Sequence, residues 1–344
     1  MTATTANTTS TERAPSIPDT MSAVVARRYG TVEQVTVDEI PTPQPAADQL
    51  LVQVEASSLN ALDWHYLTGT PYLIRPTSGL RRPKRIVPGA DAAGTVVAVG
   101  DDVTEFAIGD AVFGECEGGG CGAYLTVEPE RVVAKPDDVS FMAAGATPVA
   151  GLTAVQALRT HTDVQPGDRV LINGAAGGVG TFAVQIAVAL GAEVTAVCST
   201  RNVEMVRRLG AAEVIDYTTG DFVDGGARFD VMMDNVGNRT AAECLRVLRP
   251  DARYVVISGP KDNRVVGPVP KIIGTALRFW RAGPSFHQFT ASPNHDDLTF
   301  LGELLASGQV VPEVQRTVGL DGVADGLAEI GTGHTRAKIV VIPD

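Results

Sequence analysis

A chain of 344 residues with 44% apolar residues is long enough for two cores, and its net charge of −12 argues against a nucleic-acid partner. No apolar run reaches the length of a membrane span, so no membrane partner is expected. Four cysteines (Cys116, Cys121, Cys198, Cys244) are too few and too scattered for a disulfide framework, which points to a reduced, cytoplasmic setting.

Residues 1–20, rich in Thr, Ala and Ser, are expected to form a disordered extension, with Met21 as an alternative start. They carry neither the apolar core of a signal peptide nor the arginines of a transit peptide. Strands are predicted at Ser22 to Ala26, Val32 to Glu39, Leu50 to Ala56, Ala92 to Val99, Gly109 to Phe113 and Ala123 to Val127. Such short strands between Gly/Pro turns mark a small barrel-like β domain, assigned to residues 21–146. The one basic run, Arg81-Arg82-Pro83-Lys84-Arg85, reads as a solvated loop.

From Ser140 the texture turns helical, at Phe141 to Ala146 and Leu152 to Leu158. The apolar run Val170-Leu171-Ile172 then enters a glycine-rich elbow, followed by an Ala/Val/Leu stretch with no breaker before Gly191. A strand that turns through glycines into a helix N-terminus presents free N–H groups and a favourable dipole to phosphate. The hexad is Ala175-Ala176-Gly177-Gly178-Val179-Gly180, lacking the first glycine of the full fingerprint. Gly177 can still let a pyrophosphate approach, and Gly180 can still let helix and strand pack closely. With a second strand at Glu193 to Cys198 the unit is βαβ, and a dinucleotide site is predicted around Ala176, Gly177, Gly178, Val179 and Gly180.

Further on, helices are predicted at Arg201 to Leu209, Asn238 to Leu248, Val265 to Ala282 and Leu298 to Ser307. They alternate with strands at Glu213 to Tyr217, Phe229 to Asp234, Arg253 to Ser258 and Ser285 to Thr290. This alternation implies a doubly wound parallel sheet over residues 147–311. The end of the chain returns to β texture at Val310 to Val314 and Lys338 to Ile342, so residues 312–344 are expected to rejoin the first domain. Where a dinucleotide fold usually places Asp or Glu, after its second strand, the chain has Ser199, Thr200 and Arg201. Hydroxyls and a guanidinium suit a 2′-phosphate, although Arg201 can equally face water from the first turn of a helix. Asn235 and Ser258 follow the fourth and fifth strands, on the ligand edge of such a sheet.

Several motifs together resemble the medium-chain dehydrogenase/reductase superfamily. They are Ser58-Leu59-Asn60-Ala61-Leu62-Asp63, Pro88-Gly89-Ala90-Asp91-Ala92-Ala93-Gly94, Gly109-Asp110-Ala111-Val112, Gly151-Leu152-Thr153-Ala154, the hexad, and Gly210-Ala211 leading to Val214-Ile215-Asp216-Tyr217. The match is best with the zinc-independent quinone oxidoreductase-like (zeta-crystallin-like) branch. The resemblance implies a GroES-like catalytic domain beside a Rossmann domain, NADPH as cofactor, and a homodimer joined through the edges of the dinucleotide sheets. It implies hydride transfer to quinones or α,β-unsaturated carbonyls.

Zinc decides the branch. Gly89-Ala90-Asp91 stands where zinc-dependent relatives carry Gly-His-Glu, no cysteine lies near Asn60 or Pro148, and Cys116 and Cys121 are a lone pair among glycines. No metal site is therefore expected. Electron-poor acceptors can be reduced without a Lewis acid, given positioning and a hydrogen bond to the developing oxyanion.

The resemblance also places Asn60 and His65 over the nicotinamide, Tyr217 near the 2′-phosphate and Lys338 facing the cofactor. His65 can donate a proton near neutral pH or wall the pocket. Asp63 reads as a structural hydrogen-bonder, and Trp64 and Trp280 as core. Two rival readings are an alcohol dehydrogenase, disfavoured by the missing ligands, and a non-catalytic nucleotide-binding protein.

Overall fold

The computed structural model describes residues 17–224, 229–259 and 263–343. Of the extension expected over residues 1–20, residues 1–16 lie outside this range, and Thr20 already opens the first strand. The first strands are β1 (Thr20–Ala26), β2 (Val35–Pro41) and the long β3 (Leu50–Leu59), in which nearly every residue is buried. Helices α1 (Ala61–Thr68) and α2 (Arg75–Ser78) follow. The chain continues through β4 (Asp91–Val99), β5 (Ala111–Glu115), β6 (Tyr124–Val127) and β7 (Val132–Ala134), then α3 (Phe141–Gly145) and α4 (Pro148–Val155).

A second layer system opens with β8 (Arg169–Asn173), α5 (Gly178–Ala189), β9 (Glu193–Cys198), α6 (Val203–Arg208), β10 (Glu213–Asp216) and β11 (Phe229–Asp234). It goes on through α7 (Ala241–Val247), β12 (Leu248–Val256), α8 (Val269–Ala282), β13 (Ser285–Gln288) and α9 (His295–Ala306). The last elements are β14 (Val314–Val318), α10 (Val323–Thr332) and β15 (Lys338–Val341).

The six-stranded sheet has the order β10-β9-β8-β11-β12-β13 and is parallel throughout. Its inner strands β9, β8 and β11 are largely buried and apolar on both faces, as a sheet sandwiched between helices requires. Val170, Leu171 and Ile172 of β8 are fully buried, as are Phe182, Val184 and Ile186 of α5. A seven-stranded sheet takes β14-β15-β3-β4-β5-β7, with β6 paired to β3. The chain terminus therefore lies against β3, Ile339 facing Leu59 and Val341 facing Ser57. The mixed α/β class, with a β-rich unit beside a parallel-sheet unit, agrees with the sequence.

Several elements differ from their sequence expectation. Helices α1, α2 and α10 have no counterpart among the elements expected from the sequence. The helix expected from Asn238 starts at Ala241, because Thr240 and Glu243 form a reciprocal capping box. Pro250 does not close that helix at a loop; it lies in β12, in the stretch skipped between the Phe229–Leu248 and Val231–Arg253 pairs, where no N–H is needed. The strand expected at Val310 to Val314 begins only at Val314. Val310 is instead buried in the main core, and the ladder starts where Val314 pairs with Lys338. Trp64 packs half-buried against a satellite core, whereas Trp280 is 78% exposed and not a core residue. On α8 only Phe279 is fully buried, against Tyr254 and Phe286, and Trp280 is turned away from it.

Candidate active site

The glycine elbow lies between β8 and α5. No side chain caps α5, so the first N–H groups of the helix have no helical acceptor. A Cβ on Gly177 would meet nothing nearer than Gly174 O at 3.8 Å, so the elbow leaves room for a group to approach its backbone. Gly180 is different. A Cβ there would lie 2.2 Å from Gly174 O and 2.7 Å from Ala175, which is the close helix–strand contact the hexad requires.

The end of the chain is tied to this elbow. Ala337 N donates to Ala176 O at 2.9 Å, and Ala337 forms a parallel bridge with Gly177. Lys338 then enters beside Gly178, whose absent Cβ would sit 3.3 Å from Lys338 Cδ. The ammonium of Lys338, 2% exposed, donates to Asn60 Oδ1 at 2.5 Å and lies 3.2 Å from Asp91 Oδ2.

Asp91 is the hub of this cluster and has no exposure at all. Its Oδ2 accepts from Ser58 Oγ and, at 2.8 Å, from Asn60 Nδ2; its Oδ1 accepts from Val149 N at 2.7 Å. A buried carboxylate needs this many donors to remain in place. Asn60 also donates to Ser58 O at 3.2 Å, so its amide is saturated by protein partners. Asp63 accepts from Asn60 N and Gly89 N, both at 2.8 Å, which fixes the start of α1 to the loop before β4. Burial raises the Asp63 carboxyl to about 6 against the pull of those two N–H groups. Glu115, opposite Asp91 on β5, is raised to about 7 by burial and by the charge on Asp91.

His65 is anchored by a 2.7 Å bond between Nδ1 and Thr70 O. A carbonyl only accepts, so Nδ1 carries the hydrogen. Cys116 Sγ donates to the carbonyls of Gly89 and Ala90, both at 3.3 Å, and burial pushes its thiol up to about 12. Among the described residues no group of three or more His, Cys, Asp or Glu is arranged to hold a metal ion.

The remaining predicted residues divide between the elbow and its rim. Asn235 follows β11 beside Gly174, and both polar atoms of its amide are buried without a partner. Such an orphaned amide fits a ligand lying along the elbow. Ser199 accepts from Asn202 Nδ2 at 3.1 Å, and Thr200 bonds Thr218 at 2.8 Å. Arg201 Nη2 reaches across to His334 O at 3.0 Å on the loop before β15. Tyr217 is 55% exposed on the same rim. Ser258 lies elsewhere, lining a small pocket with Tyr254, Lys271 and Phe286 under α8. Asn60 and Lys338 are thus brought together with the elbow, and Ser258 is not joined to that cluster.

Comparison with known proteins now decides the family. Residues 46–137 match the alcohol dehydrogenase GroES-like domain model, and residues 209–341 match the zinc-binding dehydrogenase model. A chloroplastic quinone oxidoreductase of Triphysaria versicolor is 32% identical over 89% of this chain and 93% of its own. The chain belongs to the medium-chain dehydrogenase/reductase superfamily, in its quinone oxidoreductase-like branch. As a member it is a nicotinamide-dependent oxidoreductase. An Arabidopsis thaliana NADPH-dependent alkenal/one oxidoreductase is 31% identical over 95% of this chain and 81% of its own. The structure of a Coxiella burnetii quinone oxidoreductase superposes with a TM-score of 0.82 at 27% identity, covering 94% of this chain and 99% of that one.

Sequence reasoning passed over the role of Asp91, noticing it only as part of a motif. The available signal was an acid opening the apolar strand Asp91 to Val99, which a buried carboxylate occupies only with partners.

Proposed function

We propose that the chain is an NADPH-dependent, zinc-independent reductase that delivers hydride to quinones or to the activated double bond of α,β-unsaturated carbonyl compounds. The observation that carries this reading is the bridge between Ala337 and Gly177, which sets the Asn60–Lys338–Asp91 cluster against the open glycine elbow. The elbow and Asn235 fit a dinucleotide, the elbow N–H groups meeting its pyrophosphate. Ser199, Thr200, Arg201 and Tyr217 line the rim where a 2′-phosphate would lie, with Arg201 supplying charge. When bound, the reduced nicotinamide supplies the hydride. The chain holds the acceptor, excludes water and steadies the developing oxyanion.

Asn60, saturated by Lys338, Asp91 and Ser58, acts as a positioning residue that keeps the ammonium beside the elbow. His65 lies after β3, its ring held by Thr70, and is placed on the acceptor side of the cleft. The Lys338 ammonium engages the carboxylate of Asp91, at the position where zinc-dependent relatives carry the Glu of Gly-His-Glu, which supports a reaction without zinc. We assign residues 21–146 together with 312–344 to the GroES-like catalytic domain and 147–311 to the Rossmann domain. A homodimer through the β13 edges and a cytoplasmic setting complete the reading; the four cysteines, all free and buried, support a reduced compartment.

The test is NADPH oxidation against a panel of quinones, enones and simple ketones, with and without chelator. Turnover of the first two classes, unchanged by chelator, is expected. Turnover of simple ketones alone, lost on chelation, would return the chain to the alcohol dehydrogenase reading, and no turnover at all to the non-catalytic one.

A further inference from the structure

Charge is segregated along this acidic chain. Residues 64–90 and 263–295 together hold nine Lys or Arg and no Asp or Glu, within a chain of 28 basic and 40 acidic residues. The two stretches meet. Tyr72 N donates to Arg264 O at 2.8 Å and Leu73 N to Val265 O at 3.0 Å, so their backbones share a seam. Arg81, Arg82, Lys84, Arg264, Arg278 and Arg281 are all exposed.

The same two stretches carry unusual apolar exposure. Leu73 is 58% exposed, Leu80 70% and Val265 57%. Helix α8 adds Ile273 at 63%, Leu277 at 48% and Trp280 at 78%. At 100° per residue these three form one stripe, and Phe279, the inward anchor of the helix, lies well round the axis from it. Arg281 and Arg278 lie along one side of the stripe. Large aliphatic and indole groups in water, beside cations on stretches that themselves carry no acid, are what a helix lying in a lipid interface presents.

We propose that the α8 stripe and the adjoining seam dock this protein peripherally on an anionic lipid bilayer. The positive charge concentrated in these two stretches draws the surface to anionic headgroups against the net charge of the whole. Ile273, Leu277 and Trp280 then enter the headgroup boundary, which a nucleic acid or a highly charged protein would not reward. Among the described residues no helix is long and apolar enough to cross a membrane, and the contact proposed is to one leaflet only. Docking does not depend on the proposed reaction. It would place the acceptor side of the cleft, next to Thr70 and Pro71, near a source of lipophilic acceptors.

The test uses the full chain in flotation with vesicles of phosphatidylcholine alone or mixed with phosphatidylglycerol. Binding only to the mixed vesicles, weakened by salt, is expected. The Ile273→Ser/Leu277→Ser/Trp280→Ser variant and the Arg278→Glu/Arg281→Glu variant should each partition at least about tenfold less. Both should keep the wild-type melting temperature and turnover with a water-soluble acceptor, which separates this result from failure of the enzymatic reading. Trp280 emission should shift to the blue on mixed vesicles, and Trp280→Phe should remove the shift while Trp64 emission stays. Absence of binding, equal binding to neutral vesicles, or full binding by both variants would overturn the proposal. So would sedimentation showing that the stripe variant only splits a dimer, since a second copy would then be the occupant.

Discussion

The Lys338 ammonium and the Asp91 carboxylate lie 3.2 Å apart with side chains 2% and 0% exposed. They come from residues 247 positions apart, on β15 and β4, and Lys338 is also the residue next to the bridge with the glycine elbow. One buried ion pair therefore joins β15 to β4 within the seven-stranded sheet, beside the bridge by which Ala337 holds the elbow. Removing either partner leaves a charge uncompensated in a dry site, so Lys338→Met and Asp91→Asn should each cost about 3–5 kcal/mol. The double variant should recover much of that loss. Urea unfolding of the four proteins measures the coupling, and additive losses would show that the pair is not the tie.

The unit from β8 to β9 was legible because its signals are local: an apolar strand, a run of glycines and an unbroken helix lie within about thirty residues. The Asp91 hub was not, because nothing in spacing relates Ser58, Val149 and Lys338; only the fold brings them together. Trp280 failed for a different reason. Periodicity shows that Ile273, Leu277 and Trp280 share a face, but not which face of α8 meets the core, and Phe279 alone decides that. Helix α1 escaped notice because its start is set by long-range contact, Asp63 gripping Gly89 N as well as Asn60 N.

Two glycines of the elbow separate stability from binding. At Gly177 a Cβ would make only an ordinary 3.8 Å contact with Gly174 O, and the backbone φ of −80° suits any residue. Gly177→Ala should thus leave the melting temperature of the free protein within a degree or two, while weakening NADPH and NADH alike by at least about tenfold, the cost of a methyl under the pyrophosphate. At Gly180 the clash is with backbone at 2.2 Å, so Gly180→Ala should destabilise the free protein by more than about 2 kcal/mol. Calorimetric melting and cofactor titration of both variants check the contrast, and equal melting temperatures would refute it.

Glu115 gives the fold a pH signature. Its carboxyl is raised to about 7, first by burial and then by Asp91, so the native state holds a proton that the unfolded chain releases near 4.5. Stability from this group is complete below about 4.5 and is lost as pH rises through 7. Glu115→Gln keeps the shape and removes the titration. Relative to wild type it should therefore gain roughly 1–3 kcal/mol between pH 4.5 and pH 8. Asp63, raised to about 6, adds a smaller slope of the same sign that both proteins share. Denaturant melts of the pair across this range test the difference, and a constant offset would mean that Glu115 titrates alike in the folded and unfolded chain.

Arg201 tests the cofactor assignment. Its guanidinium is exposed and already donates to His334 O at 3.0 Å, which holds it over the rim beside Ser199 and Thr200 without consuming its remaining donors. A 2′-phosphate would gain a charge-assisted hydrogen bond there, so Arg201→Ala should weaken NADPH by roughly 1.5–3 kcal/mol, about ten- to a hundred-fold. NADH has no such phosphate, so its affinity should barely change and the preference between the two should fall toward parity. Loss of the His334 contact alone predicts a small, equal change with both cofactors, because it would loosen the loop before β15 rather than the phosphate. Calorimetric titration of wild type and variant with each cofactor separates these outcomes. An unchanged NADPH/NADH ratio would remove Arg201 from the site and leave Tyr217, exposed on the same rim, as the residue to replace next.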